Sequence, residues 1–150
     1  MHRIEFKVDI HKSKKNIFIE FLKTNKVSKL YDDRLINSIY FDNDKFEIYH
    51  DSVEGLSPRK KIRLRFYGDK RQFDKKKELL LEKKYTNFSG RSKISKKIQD
   101  FDNLLKYGIL DTKYGICYPR TIVSYLRSYY ICKDYRITMD TDINFKSYNT

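Results

Sequence analysis

Apolar residues recur at every second position over much of this chain and at helical spacing in two places. From His2 to Ile10, Ile4, Phe6, Val8 and Ile10 take one face while Arg3, Glu5, Lys7 and Asp9 take the other, the period of a strand. Ser13 is placed to cap a helix running to about Leu30, with Ile17, Phe18, Phe21 and Leu22 on one stripe. Leu35 to Phe41 and Phe46 to His50 read as a hairpin around Asp42, Asn43 and Asp44, whose side chains favour turns. After a loop with Gly55 and Pro58, strands are expected over Lys61 to Tyr67 and about Glu78 to Tyr85; the basic stretch Lys70 to Lys77 between them reads as a solvated loop. Ser95 to Tyr107 carries a second helical stripe, Ile98, Phe101, Leu104 and Leu105, with Gly108 placed to end it. Two longer strands follow, about Thr121 to Ile131 and Tyr135 to Phe145. Roughly seven strands and two helices predict an α+β fold, mainly antiparallel sheet, in a single domain spanning residues 1–150.

Charge narrows the partner. Thirty-three Lys and Arg against twenty Asp and Glu give a net charge of +13, which favours a polyanion. Two cysteines, Cys117 and Cys132, and three histidines show no metal-ligand spacing and no disulfide framework. The first eight residues alternate rather than forming a secretory signal, and no apolar run reaches the length of a membrane span, so a cytoplasmic location is expected.

The basic residues are not confined to one run. They fall at alternate strand positions: Lys61, Arg63 and Arg65, then Lys84 beside Glu82, then Arg127, then Arg136. Alternate positions lie roughly 6.5 to 7 Å apart on one sheet face. Exposed, such a lattice of cations only repels itself. Lining a sheet that closes into a tunnel or barrel, it would be offset by a chain of phosphates, which accepts charge-assisted hydrogen bonds from Arg and Lys. An exposed basic sheet binding single-stranded nucleic acid remains the alternative for a basic, aromatic-rich chain. A specific nucleic-acid partner is not expected, because the cations align in several strands instead of one patch.

Several segments together resemble a known family. Arg3-Ile4-Glu5-Phe6-Lys7 is similar to the opening strand of VTC (vacuolar transporter chaperone) domains. Ser38-Ile39-Tyr40-Phe41-Asp42 resembles their S-x-Y-F-D segment, and Lys61-Ile62-Arg63-Leu64-Arg65-Phe66-Tyr67 their K-x-R-x-R-x-Y strand. Leu81-Glu82-Lys83-Lys84 resembles L-E-x-K, Tyr125-Leu126-Arg127 resembles Y-x-R, and Arg136-Ile137-Thr138-Met139-Asp140 resembles R-x-T-x-D. VTC domains belong to the triphosphate tunnel metalloenzymes, whose relatives include CYTH-type adenylate cyclases.

The resemblance implies a triphosphate tunnel, ATP and polyphosphate as partners, and γ-phosphoryl transfer to a growing polyphosphate chain with a divalent metal, Mn2+ or Mg2+. It implies phosphate-handling roles for Lys7, Lys61, Arg63, Arg65, Lys84, Lys93, Arg127 and Arg136, with Arg63, Arg65 and Arg127 as the catalytic cations and Tyr125 touching substrate. Glu5 and Glu82 are the metal candidates, and each is equally suited to pair with a tunnel cation. A membrane or accessory subunit is a further implied partner. Catalytic relatives continue into a late strand with a metal-binding glutamate and a serine–lysine element; this chain stops at Thr150, so both are expected to be missing and the tunnel to be incompletely closed. Binding without turnover and triphosphate hydrolysis are the competing functions.

Overall fold

The computed structural model describes residues 5–68, 79–99 and 101–148. In chain order its elements are α1 (Lys15–Thr24), β1 (Ser28–Asp42), α2 (Glu47–Val53), β2 (Arg59–Tyr67), β3 (Leu79–Asn87), β4 (Gly90–Ile98), α3 (Asp102–Tyr107), β5 (Ile109–Asp111), β6 (Gly115–Cys132) and β7 (Tyr135–Ser147). The fold is α+β and mainly antiparallel, with sheet order β4-β3-β2-β1-β6-β5 and β7 also paired to β6. The expected basic loop at 70–77 lies outside the described residues.

The chain divides into two compact units. The first comprises Met1–Asp32 and Ser128–Met139. Within it, residues 5–10 form no strand, and Phe6 and Val8 are largely exposed. Alternation creates a strand only where a sheet edge accepts its backbone. Helix α1 buries Leu22 and ends at Thr24, short of the expected Leu30. Its last turn supplies the reason. The Asn25 side chain donates to the Phe21 carbonyl at 2.8 Å, Lys26 turns left-handed at φ 54°, and the Val27 amide closes onto the Leu22 carbonyl at 3.0 Å. β1 then begins at Ser28, and Tyr31 meets Tyr129 edge to face at 5.7 Å.

The second unit comprises Asp33–Arg127 and Asp140–Thr150. Its core gathers Ile39 and Phe41 of β1, Ile62, Leu64 and Phe66 of β2, and Leu79 of β3 against Ile48, Phe101, Ile109, Tyr114 and Cys117. The register explains this sorting, since Ile39 pairs with Leu64 and Phe41 with Ile62.

Two expected elements are replaced. Phe46 to His50 starts helix α2 instead of a second hairpin strand, because two acceptor side chains sit immediately before it. The Asp42 carboxylate accepts from the Ile48 amide at 3.0 Å and the Tyr49 amide at 2.9 Å, while Asn43 Oδ1 accepts from the Glu47 amide at 3.0 Å. These satisfy first-turn N–H groups that otherwise lack partners, and that outweighs the strand preference of Phe, Ile and Tyr. Ser95 to Ile98, expected as the start of a long helix, belongs instead to strand β4, which pairs with β3 from Leu79↔Ile98 to Asn87↔Gly90. The helix is reduced to Asp102–Tyr107. Gly108 does end it, at φ 78°, where an added Cβ would lie 2.8 Å from the Cys117 carbonyl oxygen.

Candidate functional site

The strand period that places Ile62, Leu64 and Phe66 in the core turns Lys61, Arg63 and Arg65 to the opposite face of β2. Neighbouring strands add to that face through register. Lys61 lies opposite Lys84 and Arg63 opposite Glu82 on β3; Lys84 lies opposite Lys93 on β4. On the other side, Ser38 of β1 lies opposite Arg65, and Tyr40 opposite Arg63. The face also reaches β6. The Ser124 hydroxyl donates to Asn37 Oδ1 at 2.8 Å on the core side, so the alternate residues Tyr125 and Arg127 take the cationic side.

Glu82 is the hub of this face. It is 2% exposed. Its Oε2 accepts from Arg63 Nε at 2.7 Å and lies 2.6 Å from Arg63 Nη2 and 3.7 Å from Arg65 Nη1. Its Oε1 accepts from Lys93 Nζ at 3.1 Å. Burial works to raise the Glu82 carboxyl, but Arg63 and Arg65, with the hydrogen bonds from Lys93 and Arg63, hold it below the ordinary range. Arg63 is gripped a second time by its Nη1 donating to the Tyr40 hydroxyl at 3.1 Å.

Arg127 forms a two-pronged pair with Asp140 of β7, Nε to Oδ1 at 2.6 Å and Nη2 to Oδ2 at 2.7 Å, and stands 5.2 Å from the centre of the Tyr125 ring. Burial raises the Tyr125 hydroxyl, partly countered by Arg127, Arg65 and Arg63. These influences place Tyr125 electrostatically with the β2 arginines.

Positive charge remains in excess. Among the described residues Lys61 and Lys84 make no ion pair, and burial followed by the Arg63 charge lowers the Lys84 ammonium below its ordinary value. Ser38 Oγ and Arg65 Nε, on residues paired across the strands, are buried without a hydrogen-bond partner among the described residues. A surface of this kind suits an anion with several oxygens, such as linked phosphates.

Of the residues named from sequence, the structure gathers Lys61, Arg63, Arg65, Glu82, Lys84, Lys93, Tyr125 and Arg127 on this face. Glu5, Lys7 and Arg136 belong to the first unit, and all three are exposed there. Tyr40 and Ser38 join this face without any role implied by the motifs, and their alternation with Ile39 and Phe41 is the signal that marks them. Of the two candidate metal carboxylates, Glu82 does not fit a divalent ion as it stands, because both its oxygens are engaged by cations, and Glu5 is exposed.

Comparison with known proteins bears on this arrangement. A 52-residue stretch, 35% of this chain, is 44% identical to vacuolar transporter chaperone complex subunit 2 of Saccharomyces cerevisiae, of which it covers 6%. The fold resembles the crystal structure of a proposed adenylate cyclase from Vibrio parahaemolyticus with a TM-score of 0.50 and 13% identity, over 84% of this chain and 62% of that one. Residues 2–112 match the VTC domain, the larger part of the sequence, and the chain therefore belongs to the VTC domain family.

Proposed function

We propose that the cationic face binds the triphosphate of ATP and the end of a polyphosphate chain, and that the protein passes the γ-phosphoryl group between them. The observation that carries the reading is the excess of cations drawn from β2, β3, β4 and β6 onto one face, with Lys61 opposite Lys84 and no carboxylate paired to either among the described residues. Family membership supports phosphate-chain handling, and similarity to a subunit of a vacuolar transporter chaperone complex supports assembly with other subunits. No helix among the described residues is long and apolar enough to cross a membrane.

In this reading Lys61, Lys84 and Lys93 hold the phosphate chain by charge. Arg63, Arg65 and Arg127 orient the γ-phosphoryl group and neutralise the charge that spreads over its oxygens during transfer. A terminal oxygen of the acceptor chain forms a bond to Pγ as the bond from Pγ to the β,γ-bridging oxygen breaks, and ADP leaves. No step is derived through a metal at Glu82. A manganese or magnesium ion, expected from the resemblance, would accompany the phosphate oxygens.

The test is direct. Purified protein is titrated with tripolyphosphate by calorimetry, then incubated with ATP, polyphosphate primer and Mn2+. Equimolar ADP and chain growth, both lost in Arg63→Ala, support transfer; binding without ADP reduces the function to a phosphate-chain module; release of orthophosphate identifies a triphosphatase. Failure to bind tripolyphosphate overturns the reading.

A further inference from the structure

We infer that Glu82 is a positioning residue: its carboxylate aims Arg63 and Arg65 at the bound phosphate chain and does not hold a metal. This rests on the phosphate-chain reading of the cationic face and goes beyond it by giving an acidic residue a role in anion binding. Burying a carboxylate is costly unless hydrogen bonds and counter-charges compensate it. Here the compensation is specific. Arg63 donates from Nε to one oxygen of Glu82, with Nη2 in ion-pair contact 2.6 Å from the same oxygen, and donates from Nη1 to the Tyr40 hydroxyl, so the guanidinium is held from two sides while N–H groups on Nη1 and Nη2 remain for a ligand. Arg65 reaches the same Glu82 oxygen at 3.7 Å, and Lys93 takes the other at 3.1 Å. A divalent ion at Glu82 would have to displace these contacts and stand among three cations.

Charge counting and positioning make opposite demands. Removing the Glu82 charge makes the face more positive, which by Coulomb attraction alone tightens anion binding. If Glu82 positions the arginines, the same change frees them to repel and swing apart, and the ordering they lose must be supplied by the ligand on binding. The positioning effect is expected to win, because a fixed fork matches phosphate oxygens while a mobile one does not.

Glu82→Gln in the full chain separates the two. In metal-free buffer, calorimetry with tripolyphosphate is expected to show roughly tenfold weaker binding than wild type, about 1.4 kcal/mol. NMR of the arginine Nε–H groups is expected to show a protected Arg63 signal in wild type that is lost in the variant. Titration with Mn2+ alone is expected to be unchanged between the two. Tyr40→Phe removes the second grip on Arg63 and keeps the core register, so it serves as the companion variant where Glu82→Gln does not fold; a loss of roughly threefold is expected. Equal or tighter tripolyphosphate binding by Glu82→Gln, or by Tyr40→Phe where only that variant folds, overturns the inference while the phosphate-chain reading stands. Loss of Mn2+ binding in Glu82→Gln overturns it in favour of metal ligation. Absence of binding by wild type overturns the phosphate-chain reading, and the aiming role with it, whatever the NMR shows of the Arg63 contact.

Discussion

Lys61 and Lys84 stand directly opposite one another across β2 and β3, and neither has a carboxylate partner among the described residues. Like charges in that position destabilise a sheet by a few tenths to about 1 kcal/mol. Replacing either with methionine is therefore expected to raise the melting temperature of the ligand-free protein while weakening tripolyphosphate binding several-fold. Thermal unfolding and calorimetry on the same samples check this; a variant that loses stability and keeps its affinity contradicts a ligand-binding purpose for the pair.

Proton uptake offers a second check. Burial, then the Arg63 charge, lowers the Lys84 ammonium from its ordinary value, so at alkaline pH it is partly neutral in the free protein. A bound phosphate chain favours the charged form and raises it again. Tripolyphosphate binding in alkaline buffers just below the ordinary lysine range is expected to take up protons, seen as a dependence of the binding heat on buffer ionisation. The uptake should disappear in Lys84→Met, and affinity should fall as pH rises through this range.

Acid should unfold the protein partly through Glu82 and Asp111. Burial acts to raise both, but it is overcome at Glu82 by Arg63 and Arg65, and at Asp111 by the Lys113 amide and Lys60, so both carboxyls lie below their ordinary values. A group depressed in the folded state contributes stability above its unfolded pKa and loses it as pH falls through the folded value. Stability is expected to decline from the ordinary carboxylate range downward. Denaturation followed from pH 6 to pH 2 should give a shallower decline in Glu82→Gln than in wild type.

Asp42 closes the S-x-Y-F-D segment, and its carboxylate caps α2 through the Ile48 and Tyr49 amides. Asp42→Ala is expected to cost about 1 to 2 kcal/mol, measured by urea denaturation, with little change in tripolyphosphate affinity for the folded fraction.

The Cys117 thiol is fully buried, and burial, followed by Asp111 and Asp42, pushes it up to about 11. A thiolate is the reactive form, so Cys117 should resist a thiol reagent at pH 8 until the protein is denatured. Labelling at Cys117 in the native state, traced by peptide mass, would contradict this placement.

The cationic face was largely legible in the sequence because β2 alternates without interruption, so its two faces separate on period alone. Alternation also pointed to Lys84 and Arg127, and the family resemblance added Lys93 and Tyr125, but the same two signals named Arg136 and Lys7, which belong to the first unit. The errors came where local signals compete. Phe46 to His50 has strand-forming side chains, but Asp42 and Asn43 supply a helix cap whose strength depends on carboxylate direction, which period cannot show. Ser95 to Ile98 shares its apolar spacing with a helix, and only the ladder from β3 decides for a strand. His2 to Ile10 has the right alternation, yet among residues 5–10 no strand forms, since pairing is a property of the neighbour as well as of the segment. The ion pairs of Glu82 with Arg63, Arg65 and Lys93 depended on register, which motifs do not state.

The division of β2 into an oily side and a charged side has an evolutionary consequence. Ile62, Leu64 and Phe66 constrain the volume of the interior, whereas Lys61, Arg63 and Arg65 answer to whatever is bound. Substitutions on the second side can therefore retune selectivity without rebuilding the first. Inserting one residue into the strand would exchange the two sets at a stroke, so diversification of this sheet should proceed by replacement, with its length conserved.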